Sequence, residues 1–141
     1  MLTKAIAIAA TAHEGQLDKG GKPYILHCME VLRRVYSDDE DLNCIAVLHD
    51  VIEDTKTTYQ ELSEQGMNYR VLKGIQCLTR DRGGSYDHYE AKVRSNPDAI
   101  KVTKADLIHN SDIRRLKGVT QKDFERVQRY MEFYKELVNL E

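Results

Sequence analysis

Apolar residues recur along this chain three and four positions apart, with little of the strict alternation that marks half-buried strands. The first segment of this kind runs from Leu2 to about His13, and a polar, glycine-rich loop from Gly15 to Lys22 follows it. Pro23, tolerated in the first turn of a helix, opens a second segment with Ile25, Cys28, Met29, Leu32 and Tyr36 on one side. Asp38 and Asp39 suit the start of a third, whose apolar positions are Leu42, Ile45, Ala46, Leu48 and Ile52. Thr58 with Glu61 is a capping-box signature for a short helix. Val71, Leu72, Ile75 and Leu78 mark the next helix, which stops before Asp81-Arg82-Gly83-Gly84, and a further one runs from Ser85 to about Ser95 with Tyr86, Tyr89 and Val93. Asn96-Pro97 restarts the chain as N-cap and first helical residue, and that helix is expected to carry Val102, Ala105, Asp106, His109 and Ile113 and to stop near Gly118. Thr120 with Asp123 caps a last helix, for which Phe124, Val127, Met131, Tyr134 and Val138 are the expected core stripe. The pattern predicts an all-α, single-domain bundle of about seven helices spanning residues 1–141.

Composition narrows the partners. At 141 residues, 41% hydrophobic and 31% charged, the chain can bury a core without disulfide staples and is too apolar to be disordered. A formal net charge of −2 offers no electrostatic reason to expect a nucleic-acid polymer or an anionic membrane as partner. A small anionic ligand is compatible with it, because local clusters of Lys and Arg act whatever the total. Cys28, Cys44 and Cys77 form no CxxC pair and fall inside apolar helical patterns, which predicts reduced core thiols and a cytoplasmic setting. The stretch MLTKAIAIAATAHEG is too short to span a membrane and lacks a signal-peptide layout, so it reads as a first core helix.

Candidate chemistry lies where polar residues interrupt the apolar pattern. On one continuous helix, His49, Asp50, Glu53 and Asp54 would share one sector. Three carboxylates so crowded repel one another and raise their own pKa values unless a cation neutralises them. His27, just after the glycine-rich loop, and Asp106, with Asn110 one turn further on, would complete a ligand set. Two imidazoles and two carboxylates suit Mn²⁺ or another divalent transition metal, and such a cation lowers the pKa of coordinated water toward neutrality. Each residue also has a bland reading. His27 could be a hydrogen-bonded core histidine, Glu53 and Asp54 the solvated end of a helix, and Asp106 a partner of Lys104 or Arg114. The ordered set favours the metal.

That order resembles a known family. AHEGQLDKGGKPYILH (Ala12 to His27), AVLHDVIEDT (Ala46 to Thr55) and KADLIHN (Lys104 to Asn110) resemble, in sequence order, three motifs of the RelA/SpoT-type hydrolase domain. His-Asp followed after two apolar residues by Glu-Asp is the mark of its hydrolase-competent members. The resemblance spans essentially the whole chain, and the size is similar to that of a stand-alone small alarmone hydrolase without a synthetase domain. It implies a helical HD phosphohydrolase fold and Mn²⁺-dependent removal of the 3′-pyrophosphate from (p)ppGpp. It implies His27, His49, Asp50 and Asp106 as metal ligands, and Glu53 and Asp54 as the acidic pair that positions water and assists proton transfer. It implies Lys19, Tyr24 and Asn110 as residues lining the pocket of a small phosphorylated nucleotide.

Three positions depart from the family pattern. Asp18 stands where a basic residue packs on the guanine base, Asp112 where an arginine follows the asparagine, and Cys28 where proline follows the metal-binding histidine. Two basic-to-acidic changes beside an anionic ligand weaken attraction and remove a stacking cation. Arg114, Arg115 or Lys22 are the candidates for replacement charge. The departures leave a rival substrate open, such as the 2′-phosphate of NADPH, and a rival class, a metal-dependent nucleotide sensor that does not turn over. The sequence carries no statement about oligomeric state.

Overall fold

A computed structural model describes residues 1–141, which form nine α-helices and one 3₁₀ turn without a sheet. The helices are α1 (Leu2–Ala12), α2 (Ile25–Val35), α3 (Glu40–Leu48), α4 (Val51–Asp54), α5 (Tyr59–Glu64), α6 (Tyr69–Leu78), α7 (Tyr86–Arg94), α8 (Pro97–Asn110) and α9 (Gln121–Asn139). The 3₁₀ turn, Ile113–Arg115, joins the last two. Their starts follow local chemistry. Asp39 accepts from the Leu42 amide, Asn96 from the Ala99 amide with Pro97 behind it, and Thr58–Glu61 and Thr120–Asp123 close complete capping boxes.

Helix α3 is the axis of the bundle. Every residue from Leu42 to Leu48 is buried, so this helix is apolar all round and is enclosed by α1, α2, α6 and α8. Its one buried amide, Asn43, is satisfied by the Ser37 backbone, accepting from the N–H at 3.2 Å and donating to the C=O at 2.8 Å. Cys28, Cys44 and Cys77 are buried free thiols, as the apolar pattern predicts. No helix is long and apolar enough to cross a membrane.

Close approach of α6 to α3 depends on Gly74. A Cβ there would lie 2.6 Å from Cδ1 of Ile45, which is fully buried. Gly74→Ala therefore sets a helix-propensity gain of about 1 kcal/mol against an overpacking cost of about 1–3 kcal/mol. Net destabilisation is expected, read as a lower urea midpoint at unchanged slope. A higher midpoint would show that Ile45 yields without cost.

Several expectations are corrected. The third segment does not continue through Ile52: the helix breaks at His49–Asp50 and resumes as α4, a helix that the apolar pattern did not separate. Helix α8 stops at Asn110, leaving Ile113 in the 3₁₀ turn and 37% exposed. Tyr36 is 66% exposed, because α2 ends at Val35 and the chain turns away there. The stripe of α9 is rotated as well. Phe124 and Val138 face solvent, while Phe133 and Leu137 are buried and Tyr130 packs against the core. Tyr134 packs against the core as the stripe predicts, so the buried face is shifted, not exchanged, toward Tyr130, Phe133 and Leu137.

Candidate metal centre

Helices α2 and α8 and the α3–α4 break bring His27, His49, Asp50 and Asp106 together, with one ligand atom from each lying within 4.8 Å of all the others. His27 Nε2 is 2.9 Å from Asp106 Oδ1, and His49 Nε2 is 2.9 Å from Asp50 Oδ2 and 3.3 Å from Asp106 Oδ1. His49 donates Nδ1–H to the Ala46 carbonyl at 2.8 Å, which leaves Nε2 free to face the carboxylates. The alternative partners of Asp106 are engaged elsewhere, Lys104 with Glu141 and Arg114 with Asp112.

The break in the helix has a physical reason. Adjacent residues on a continuous helix point about 100° apart and do not face each other. Asp50 instead adopts φ −105° and ψ 0°, the sparsely populated bridge region, and so turns its carboxylate back toward the His49 imidazole. Tyr24 OH donates to the same oxygen, Asp50 Oδ2, at 2.5 Å. Burial would lower the His49 pKa, but the Asp50 charge and the carboxylate hydrogen bonds outweigh it and hold the imidazole well above its ordinary value. Burial opposes ionisation of Asp106 and Asp50, yet hydrogen bonds and charge from His27 and His49 keep both carboxyls below the usual range. The proton on His49 thus offsets part of the carboxylate charge, and a divalent cation is the charge that would replace it. Two imidazole nitrogens, once His49 gives up that proton, and two ionised carboxylates converging on one point fit such an ion.

A cavity of about 240 Å³ opens beside the cluster, lined by Asp50, Asp106, Glu53, Asp54 and Tyr89 among others. Glu53 accepts the Arg80 amide at 2.7 Å, and Asp54 accepts Gln16 Nε2 at 3.2 Å. Their side chains stay open to solvent, but the protein around them strips enough water to raise both pKa values, and the Asp50 charge adds to the effect. Both acids therefore sit at the mouth of the metal cavity, held by donors from other elements.

A second cavity, of about 250 Å³, is lined by Lys19, Tyr24 and Asn110 and shares Tyr24, Asn110 and Tyr130 with the first. Residues 5–114 match the family model described as HD domain. The chain belongs to the HD-domain family. The MESH1 guanosine-3′,5′-bis(diphosphate) 3′-pyrophosphohydrolase of Danio rerio is 32% identical over 98% of this chain and 82% of its own length. The bifunctional (p)ppGpp synthase/hydrolase SpoT of Escherichia coli K12 is 46% identical over 45% of this chain, and the matched region spans only 9% of that longer protein. A solved structure, described as a metazoan ortholog of SpoT that hydrolyses ppGpp and plays a role in starvation responses, superposes with a TM-score of 0.78 at 23% identity, covering 99% of this chain and 84% of that one.

Within this HD domain the two acidic departures are internally compensated. Asp18 accepts the Gly20 and Lys22 amides, each at 2.9 Å, and pairs with Arg115 at 3.2 Å, so its charge is spent on holding the loop. Burial raises its pKa, and these bonds reverse the shift to a net lowering. The backbone of Arg115 is pressed against the loop as well, because a Cβ at Gly20 would collide with the Arg115 carbonyl. Asp112 caps the 3₁₀ turn and pairs with Arg114, which is 88% exposed. Of the candidate replacement cations, Arg115 lines the second cavity, while Lys22 contributes its backbone and Arg114 points outward. Lys19 lines the cavity too, its pKa lowered by burial and by neighbouring Arg126.

His109, Gln16, Arg80 and Tyr130 are not among the residues that the motifs place at the site, and Arg115 is expected there only as one of three candidate replacement charges. His109 carried a usable signal, since it lies three residues after Asp106 on one helix and so shares its face. Arg80 and Tyr130 carried none, being brought in by a loop and by the packing of α9.

Proposed function

We propose that this HD domain, taken as one unit over residues 1–141, is a metal-dependent nucleotide phosphohydrolase that removes the 3′-pyrophosphate from (p)ppGpp-like alarmones. The observation that carries this reading is the convergence of His27, His49, Asp50 and Asp106 on a cavity whose wall also presents Glu53 and Asp54. The names of the relatives matched over most of their length support the same chemistry. His27, His49, Asp50 and Asp106 would hold Mn²⁺ or another divalent transition metal, which when bound supplies Lewis-acid activation of water and of a phosphoryl oxygen.

The residues of the chain do the rest. Glu53 and Asp54, whose pKa values are raised by burial and by the Asp50 charge, take the proton from the attacking water and return one to the departing 3′-oxygen as its bond to phosphorus breaks. The neighbouring cavity receives the nucleoside, with Lys19 offering positive charge and Tyr24 and Asn110 standing at the junction of the two cavities. Their volumes suit a small phosphorylated nucleotide, and a net charge of −2 suits neither a nucleic-acid polymer nor an anionic membrane. We place the activity in the cytoplasm, consistent with three free buried thiols.

The test is anion-exchange separation of products after incubation with Mn²⁺ and, in parallel, ppGpp, NADPH and a 3′-phosphorylated adenine nucleotide. The expected result is GDP and pyrophosphate from ppGpp, in preference to the others. Orthophosphate released faster from NADPH would replace the substrate, and binding without any product would make the protein a sensor.

A further inference from the structure

Both metal-site histidines present Nε2 to the carboxylates, but their other nitrogens are held differently. His49 Nδ1 meets a backbone carbonyl, which can only accept. His27, buried to 1% exposure, meets a side chain: its Nδ1 is 2.8 Å from His109 Nδ1. The two ring planes are 8° apart, and the 5.0 Å between centroids is close to the N–N distance extended by one ring radius on each side. The rings therefore meet edge to edge in one plane, the geometry of a hydrogen bond and not of face-to-face stacking.

One hydrogen lies between these two nitrogens. For His27 Nε2 to offer a lone pair, that hydrogen must sit on His27 Nδ1, so His109 must be the acceptor and carry its own hydrogen on Nε2. Asp106 and His109, one turn apart on α8, thus grip the His27 ring by its two nitrogens, Asp106 at Nε2 and His109 at Nδ1. Arg115 braces this end of α8 by donating to the His109 carbonyl at 2.9 Å and reaching Asn110 Oδ1 at 3.3 Å.

We infer that His109 is a positioning residue for the metal centre, fixing the tautomer and orientation of His27 by accepting its Nδ1–H. The inference rests on the metal reading above and adds to it a residue outside the ligand quartet. It concerns the acceptor, not the bulk of the imidazole, and this makes it testable. His109→Asn puts an amide oxygen where Nδ1 stood and keeps an acceptor; His109→Leu and His109→Ala remove it.

The readout is Mn²⁺ affinity of the metal-free full chain by calorimetry, with circular dichroism to establish that each variant folds. Loss of an orienting partner of this kind typically weakens metal binding about 10- to 100-fold. That loss is expected in His109→Leu, or in His109→Ala if the leucine variant does not fold, with most of the affinity restored in His109→Asn. A purely structural role for His109 would lower the thermal midpoint of the metal-free protein without sorting the variants by acceptor. Wild-type affinity in the variants lacking an acceptor would overturn the inference alone, as would an asparagine variant as weak as they are. A wild-type protein that binds no divalent metal would overturn the metal reading, and this inference with it.

Discussion

Asp50→Ala is expected to abolish metal binding and turnover together. The substitution removes one of four ligands, and it also leaves Tyr24 OH without its acceptor and the His49 imidazole without its nearest counter-charge. Metal analysis after dialysis should find the wild type loaded and the variant empty, with product formation at background. Because the ion binds only the folded state, added Mn²⁺ should raise the wild-type melting temperature and leave that of the variant unchanged. Lowering the pH should drive the wild type toward the same state. His49 holds its proton well above the ordinary histidine pKa in the metal-free protein, and the ion must displace that proton. Affinity should therefore fall about tenfold for each pH unit below the folded His49 pKa, and level off only above it. Full metal content and normal turnover in Asp50→Ala would end the proposal.

Glu53→Gln and Asp54→Asn should separate binding from catalysis. Neither residue belongs to the quartet, and both line the cavity beside it. The amides keep the shape of each side chain and the capacity of one oxygen to accept, so the Arg80 amide retains a partner at position 53. What is lost is the ability to take a proton from water. Metal content is expected to match the wild type while kcat falls by a factor on the order of 10² or more in each variant. KM should change little, since the acids act chiefly in the transition state. Near-normal kcat in both variants would return these residues to the solvated end of a helix and favour the sensor reading.

Helix positions were legible in this sequence because their signals are local. Asn96-Pro97, Thr58–Glu61 and Thr120–Asp123 cap helices in the structure as their spacing predicts, each through contacts spanning three residues. The candidate quartet was legible for a related reason. Ionisable residues at positions where the apolar period asks for core side chains are costly to bury alone, so their joint presence points to a shared counter-charge. The face of α9 was only partly legible: Tyr134 meets the core as its spacing predicts, but packing in the bundle buries Phe133 and Leu137 and leaves Phe124 and Val138 in solvent.

By itself, then, the chain determined where its helices begin and which titratable residues interrupt them, since caps, prolines and apolar period act over one or two turns. Only the tertiary structure decided how those residues meet. The break at Asp50 exists because a straight helix would hold its carboxylate away from His49. Asp18 is paired because a 3₁₀ turn nearly a hundred residues later delivers Arg115 to the glycine-rich loop. His109 becomes a partner of His27 because α2 and α8 pack side by side and bring two rings 82 positions apart into one plane. Such pairings depend on directions and distances between elements, and these are set by packing against the shared core around α3.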